Sequence, residues 1–174
     1  MRIIAGKHKG RKLFSFEGDK IRPTSDKARE ALFAILGNVN NLQFLDLCSG
    51  TGAIGLEAES RGAIVTMVDI SSESIALARK NANVVSSTAQ ILKQNCLNFL
   101  RTTNKKYDII FADPPYELEI GQEIIKTIQE RNILNEGGVV IYEKDSFVDY
   151  SYESLKKIKD KKYGKNIFSF YEET

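Results

Sequence analysis

The sequence predicts an α/β fold: a mostly parallel, doubly wound sheet, closed by an antiparallel C-terminal hairpin strand and preceded by a small N-terminal β-hairpin and helix. Three observations lead there. From Gln43 onward, short apolar runs alternate with helix-length amphipathic stretches, the pattern of βαβ units with helices on both faces of a sheet. The first of these runs opens directly into Gly50-Thr51-Gly52-Ala53-Ile54-Gly55, a glycine-rich turn between a strand and a helix. The tail then breaks the rhythm, because two strand-like segments flank Gly164 with no helix between them.

Each element follows from local chemistry. Arg2–Ala5 and Arg11–Phe16 read as two short strands around a Gly6–Gly10 turn. Pro23 discourages helix before it, Thr24 or Ser25 can cap the helix that follows, and Gly37 ends it. Ala28, Ala31, Leu32, Ile35 and Leu36 share one face of that helix. Strands are expected at Phe44–Leu47, Ile64–Val68, Ala89–Leu92, Ile109–Ala112 and Val139–Tyr142, and helices at Ala53–Arg61, Ser72–Ala82 and Ile120–Arg131. A short helical turn is expected near Leu97–Arg101, and hairpin strands at Leu155–Lys162 and Asn166–Tyr171.

A chain of 174 residues fits one domain. The net charge of +2 announces no polyanionic partner in bulk, but the charge is unevenly placed. Residues 1–12 carry five Lys or Arg, one His and no acid, and residues 156–165 carry six Lys and one Asp. Taken singly, such runs are solvated faces; together they form a candidate phosphate footprint. Two isolated cysteines suit a reducing compartment, and a single histidine excludes a metal site of ordinary His/Cys spacing. The chain shows no signal-peptide pattern and no apolar run of membrane-spanning length, so it reads as a soluble, cytoplasmic protein that uses no metal.

In an open α/β sheet the ligand sits beyond the carboxyl ends of the strands. The first strand ends in Asp46, followed by Cys48 and Ser49 and then the glycines. This G-x-G-x-x-G pattern also marks dinucleotide sites, and Asp46 separates the two readings. A carboxylate four positions before Gly50 would repel a pyrophosphate and attract a cationic amine, such as that of S-adenosylmethionine (SAM). Gly50 and Gly52 allow the backbone to approach such a ligand. Asp69 ends the second strand nineteen residues after Gly50, the spacing of an acid that binds ribose hydroxyls. Ile70 follows it. Asn95 and Cys96 end the third strand and could meet the adenine edge, although Asn95 could equally cap the next helical turn.

The fourth strand ends in Asp113-Pro114-Pro115-Tyr116. The exocyclic amine of a nucleobase is a poor nucleophile because its lone pair is delocalised into the ring. Two acceptors on its N–H groups, the Asp113 carboxylate and the Pro114 carbonyl, can draw that lone pair out of conjugation. The prolines hold the turn rigid, and Tyr116 offers a face on which an extruded base can stack. The bland alternative is a proline-rich loop with Tyr116 in the core.

These residues resemble the class I, Rossmann-like amine methyltransferases, which carry the glycine loop, the ribose acid and the Asp/Asn-Pro-Pro-aromatic motif in this order. More closely, the chain is similar to the RsmD family, bacterial 16S rRNA guanine-N2 methyltransferases. The markers are Arg2–Gly6, Lys9–Leu13, Arg22-Pro23-Thr24, Arg29–Phe33, Phe44–Gly55, Phe111–Tyr116 and the Gly164 hairpin. The resemblance implies SAM as cofactor and transfer of its methyl group to guanine N2 in 16S rRNA, within a partly assembled small subunit. It implies cofactor binding by Asp46, Cys48, Ser49, Gly50, Gly52, Asp69, Ile70, Asn95 and Cys96, and catalysis by Asp113, Pro114 and Tyr116. Asn95 stands where relatives usually carry an Asp. Residues 1–37 are expected to form an RNA-docking extension, with His8, Lys9, Arg11, Lys12, Arg22 and Arg29 as the contacts, joined in one compact unit to a catalytic domain over residues 38–174.

Three other classes fit less well. An N6-adenine methyltransferase shares the Asp113 motif, but one acting on DNA usually needs additional sequence to find its target. An NAD-dependent dehydrogenase has no use for Asp113-Pro114-Pro115-Tyr116. A non-catalytic RNA-binding assembly factor explains the basic blocks but not Asp113.

Overall fold

The computed structural model describes residues 1–18 and 24–174; Arg22 and Pro23, expected to contact RNA and to bar helix respectively, lie outside the described residues. In chain order the elements are α1 (Asp26–Leu36), β1 (Gln43–Leu47), α2 (Ala53–Ser60), β2 (Ile64–Asp69), α3 (Ser72–Val84), β3 (Gln90–Lys93), α4 (Cys96–Thr102), β4 (Tyr107–Ala112), α5 (Gly121–Glu130), β5 (Leu134–Lys144), β6 (Leu155–Tyr163) and β7 (Asn166–Glu173). One seven-stranded sheet has the order β3-β2-β1-β4-β5-β7-β6. The β1, β2, β3, β4 and β5 neighbours pair in parallel, whereas β7 runs antiparallel to both β5 and β6.

Strand alternation divides the core between the two sheet faces. Phe44, Val65, Met67, Ile109, Phe111, Ile141, Phe168 and Phe170 pack with residues of α1 and α2. Leu45, Leu47, Val68, Ile110, Ala112, Val140 and Tyr142 pack with residues of α4 and α5. Asp46 belongs by this alternation to the face covered by α2, and its carboxylate accepts from Gly55 N at 3.0 Å. Ser25 caps α1, accepting from Ala28 N at 3.1 Å, and Gly37 closes it at φ 71°.

Two expected elements differ. Residues 2–5 and 11–16 form no strands: only Arg2 and Lys12 make an antiparallel bridge. Side chains of α2 and α3 take the flanking backbone donors. Glu57 accepts from Ile4 N at 2.8 Å and Ala5 N at 3.1 Å, and Asn81 accepts from Phe14 N at 2.7 Å. The second difference is β5, which begins at Leu134 and not at Val139. Its pairing with β4 steps from Tyr107↔Leu134 to Ile109↔Val139, so Asn135-Glu136-Gly137-Gly138 is a bulge within the strand where its composition suggests a turn.

The N-terminal segment shares the main core. Ile3 and Leu13 are buried in the cluster that includes Leu32, Phe33 and Phe44. Gly6 docks on the end of α2: Lys7 N donates to Ser60 O at 2.7 Å, and a Cβ at Gly6 would collide with that carbonyl. The glycine therefore serves packing between segments of this chain.

Candidate active site

The carboxyl ends of β1, β2, β4 and β5 surround a cleft of about 890 Å³. Asp46, Cys48, Ser49, Gly50, Asp69, Ile70, Asn95, Cys96, Asp113, Pro114 and Tyr116 all line it, and Gly52, in the left-handed region at φ 83°, turns the loop into α2 beneath them. A Cβ on Gly50 would find only the Phe16 ring edge at 4.0 Å, so the loop backbone is open to a ligand there. Cys48 also adopts a positive φ of 61°, a conformation that non-glycine residues occupy at a cost of about 1–3 kcal/mol and that concentrates at functional loops.

Asp69 ties this loop to the next. One carboxylate oxygen accepts from Gly50 N at 2.9 Å and the other from Ser71 N at 2.9 Å. Each oxygen keeps acceptor capacity for a ribose hydroxyl. Asn95 is the N-cap of α4, its side-chain oxygen accepting from Asn98 N at 3.1 Å. Capping uses one acceptor position of that amide oxygen, and the residue still stands on the cleft wall.

The electrostatics are unusual. Asp46, Asp113 and Glu143 line the same cleft, and among the described residues none of the three is paired with a cation. Burial lifts Asp46 to about 8 against the stabilising Gly55 N–H, with the Asp69 and Glu143 charges adding to the rise. Burial likewise lifts Asp113 well above the carboxylate range, reinforced by Glu143 and Asp46. Glu143 rises to about 7 by burial, opposed by a hydrogen bond from Thr24. Carboxylates gathered without a counter-ion favour a cationic ligand. SAM carries two cations, a sulfonium and an amine, so the residues present suit it and oppose a pyrophosphate.

Tyr116 is 40% exposed at the cleft and is not in the core, which removes the bland reading of that ring. Asp113 N donates to Leu47 O at 3.3 Å, so the motif leaves β4 in register with β1.

Several cleft residues were not anticipated: Phe16, Thr24, Glu143, Lys165 and Asn166. The segment leading to Phe16 is held by the buried Asn81 amide, which donates to Phe14 O at 3.0 Å and Thr51 O at 2.9 Å. Glu143 accepts from Thr24 Oγ1 at 2.7 Å and from Asn166 Nδ2 at 2.7 Å. A buried acid at the end of a strand was the available signal, but nothing in the sequence brings Thr24 or Asn166 to it.

The expected RNA contacts separate. Arg29 has no exposed side-chain surface: it pairs with Glu57 at 3.3 Å and Asp26 at 3.0 Å and donates to Arg2 O. Arg29 is therefore a structural residue fastening the N-terminus to α2, which corrects its expected RNA role. His8, Lys9, Arg11 and Lys12 retain exposure, but they sit where α2 and α3 end. His8 N donates to Ser60 Oγ at 2.9 Å and Arg11 to Val84 O at 2.6 Å. Both helices start at the cleft and run away from it, so His8 and Arg11 stand at their far ends, while the chain after Lys12 returns to the cleft at Phe16.

The family model described as Conserved hypothetical protein 95 matches residues 1–172. Ribosomal RNA small subunit methyltransferase D of Buchnera aphidicola is 33% identical over 147 residues, covering 82% of this chain and 77% of the relative. The solved structure of yhhF from Escherichia coli is 26% identical with a TM-score of 0.85, covering 99% of this chain and 97% of that one. The Thermus thermophilus 16S rRNA N2 G1207 methyltransferase (RsmC), solved with AdoMet and guanosine, is 26% identical with a TM-score of 0.74 and covers 91% of this chain and 45% of its own. A family model matched along nearly the whole chain and a relative 33% identical over most of it show one thing: the chain belongs to the RsmD family of SAM-dependent rRNA methyltransferases.

Proposed function

We propose that the enzyme methylates the exocyclic N2 amine of one guanine in 16S rRNA, within a partly assembled small subunit in the cytoplasm. The observation that carries the proposal is the shared cleft: the Asp113 motif and the cation-favouring glycine loop open onto one space large enough for a cofactor and one extruded base. The guanosine bound in the structurally similar RsmC and the names of the relatives support guanine and rRNA over the alternatives.

SAM, when bound, supplies an electrophilic methyl on sulfonium. Asp46, the Cys48–Gly52 loop and Asp69 hold it, while Ile70, Asn95 and Cys96 line the remaining wall. Tyr116 stacks on the extruded base. Asp113 and the Pro114 carbonyl accept the two amine hydrogens, aiming the nitrogen lone pair at the methyl carbon. Bound SAM would give up its methyl group to that nitrogen with the S–C electron pair kept on sulfur, so that S-adenosylhomocysteine would remain. The nitrogen sheds one proton to Asp113, whose raised affinity for protons suits that task, and Asp113 passes it to water.

Binding of the RNA strand falls to exposed cations, with Lys165 at the cleft and the His8–Lys12 turn as a remote phosphate contact. The test is mass mapping of 16S rRNA from a strain lacking the gene. Loss of one N2-methylguanine, restored with the gene, supports the proposal; an unchanged rRNA map refutes it.

A further inference from the structure

We infer that Glu143 reads the N1–H of the target guanine beside the amine held by Asp113, and thereby selects guanine over adenine; the inference rests on the guanine-N2 reading above. The β4–β5 register pairs Ala112 with Tyr142, so Asp113 and Glu143 are the next residues of neighbouring strands and both line the cleft. The guanine Watson–Crick edge presents two neighbouring donors in the same way, N1–H and the N2 amine. Adenine presents a donor beside an acceptor, and its N1 lone pair would face a carboxylate. A site that commits a buried charged acceptor to one N–H strongly rejects the base that lacks it.

The setting of Glu143 favours this use over a structural one. The residue is 2% exposed, and its two oxygens accept from Thr24 Oγ1 and Asn166 Nδ2, each at 2.7 Å. These bonds fix the carboxylate and leave each oxygen acceptor capacity. Joining Thr24 to Asn166 requires no charge, because a neutral amide could bond both. An unpaired buried carboxylate is costly unless a ligand completes it. The groups facing it are Thr24 before α1, Asn166 at the start of β7, Asp113 after β4 and Asp46 on β1. Burial lifts Glu143 to about 7, so the accepting, ionised form dominates at pH 8.

The test compares guanosine with 2-aminopurine riboside, which keeps the 2-amine but has an acceptor at N1. Binding to the wild-type enzyme filled with S-adenosylhomocysteine is measured by calorimetry at pH 8. A preference for guanosine of roughly 10- to 100-fold is expected. In Glu143→Gln the amide can keep bonds to Thr24 and Asn166 and donate to a purine N1, so the preference should collapse or reverse. On small subunits lacking the modification, the same variant should raise KM or lower kcat by roughly 10- to 100-fold with SAM affinity within a few-fold of wild type. An unchanged nucleoside preference in folded Glu143→Gln overturns the inference, and so does a wild type that fails to prefer guanosine, a readout that needs no variant to fold. Failure of the guanine reading itself would appear separately, as a methylated nucleoside other than N2-methylguanine in rRNA digested after the reaction.

Discussion

The three carboxylates of the cleft should make the ligand-free enzyme lose stability as pH rises from 6 to 8, against the usual behaviour of paired acids. A carboxylate lifted in the folded state binds its proton there while the unfolded chain has already released it. Stability then falls as pH rises between the unfolded and folded values. For Asp46 that window runs from 3.8 to about 8, and for Glu143 from 4.5 to about 7. Between pH 6 and 8 these shifts correspond to losses of about 2 and about 1 kcal/mol respectively. Asp113, lifted in the same direction, adds to them. A loss of about 3 kcal/mol should lower the melting temperature by about 6–12 °C for a chain of this size.

SAM should reverse the trend. Its cations favour the ionised acids, so its affinity should rise over the same interval and binding should release protons. The assay is thermal unfolding at pH 6, 7 and 8 with and without S-adenosylhomocysteine, which keeps the amine but loses the sulfonium, and with SAM itself. Asp46→Asn should remove most of the slope, stabilise the free enzyme at pH 8 and weaken SAM. A melting temperature for the free enzyme that is flat or rises from pH 6 to 8 would refute the reasoning, as would SAM binding that weakens with pH.

Other outcomes follow from the same geometry. Asp113→Ala should cost about 2–4 kcal/mol of barrier, two to three decades of turnover, while calorimetric SAM binding survives; near wild-type turnover would contradict its role. Tyr116→Phe should be mild and Tyr116→Ala severe in kcat/KM, since stacking needs the ring and not the hydroxyl. Arg29→Ala leaves Glu57 buried without its fully buried partner and should destabilise by about 3–5 kcal/mol in denaturant melts; a stable variant with weakened RNA binding would restore Arg29 to the RNA surface. Each phosphate contact removed should lower the log–log salt slope of RNA binding by about 0.7–0.9. Lys165→Ala should show this loss together with reduced kcat/KM. Arg11→Ala with Lys12→Ala should weaken RNA binding and flatten the slope with SAM affinity unchanged, and an unchanged slope would make the N-terminal turn purely structural.

Much of the site was legible because an α/β sheet converts strand ends into a binding surface, and strand ends are visible as the last residues of apolar runs. Asp46, Asp69 and Asp113 could be placed in one cleft from that rule alone, and the cleft does contain them. Arg29 was misread because its burial depends on Glu57, 28 residues away on another helix, and a helical arginine carries no mark of such a partner. The N-terminal strands were misread for a related reason: the segment bridges to itself at Arg2 and Lys12 and is otherwise held by Glu57 and Asn81, side chains far along the chain. Glu143 escaped notice, although it follows the expected strand Val139–Tyr142, because the partners that fix it, Thr24 and Asn166, lie 119 and 23 residues away.

The two ends of the chain meet at that overlooked residue. Thr24, 119 residues before Glu143, belongs to the N-terminal extension, and Asn166, 23 residues after it, belongs to the β6–β7 hairpin. The cofactor side of the cleft is built mostly from the β1–α2 loop and the residues that follow β2 and β3, with Phe16 reaching Gly50 from the N-terminal extension. The target side requires both extensions to be folded onto the sheet. Loosening either should therefore harm methyl transfer more than SAM binding. Thr24→Val is the gentlest such change, because it removes one hydroxyl donor to Glu143 and little volume. It should raise the proton affinity of Glu143, since the hydrogen bond from Thr24 opposes the rise due to burial. The rising limb of the kcat/KM profile should then shift to higher pH while SAM affinity at pH 8 stays the same. A profile that does not move would show that Glu143 does not titrate in the free enzyme's working range.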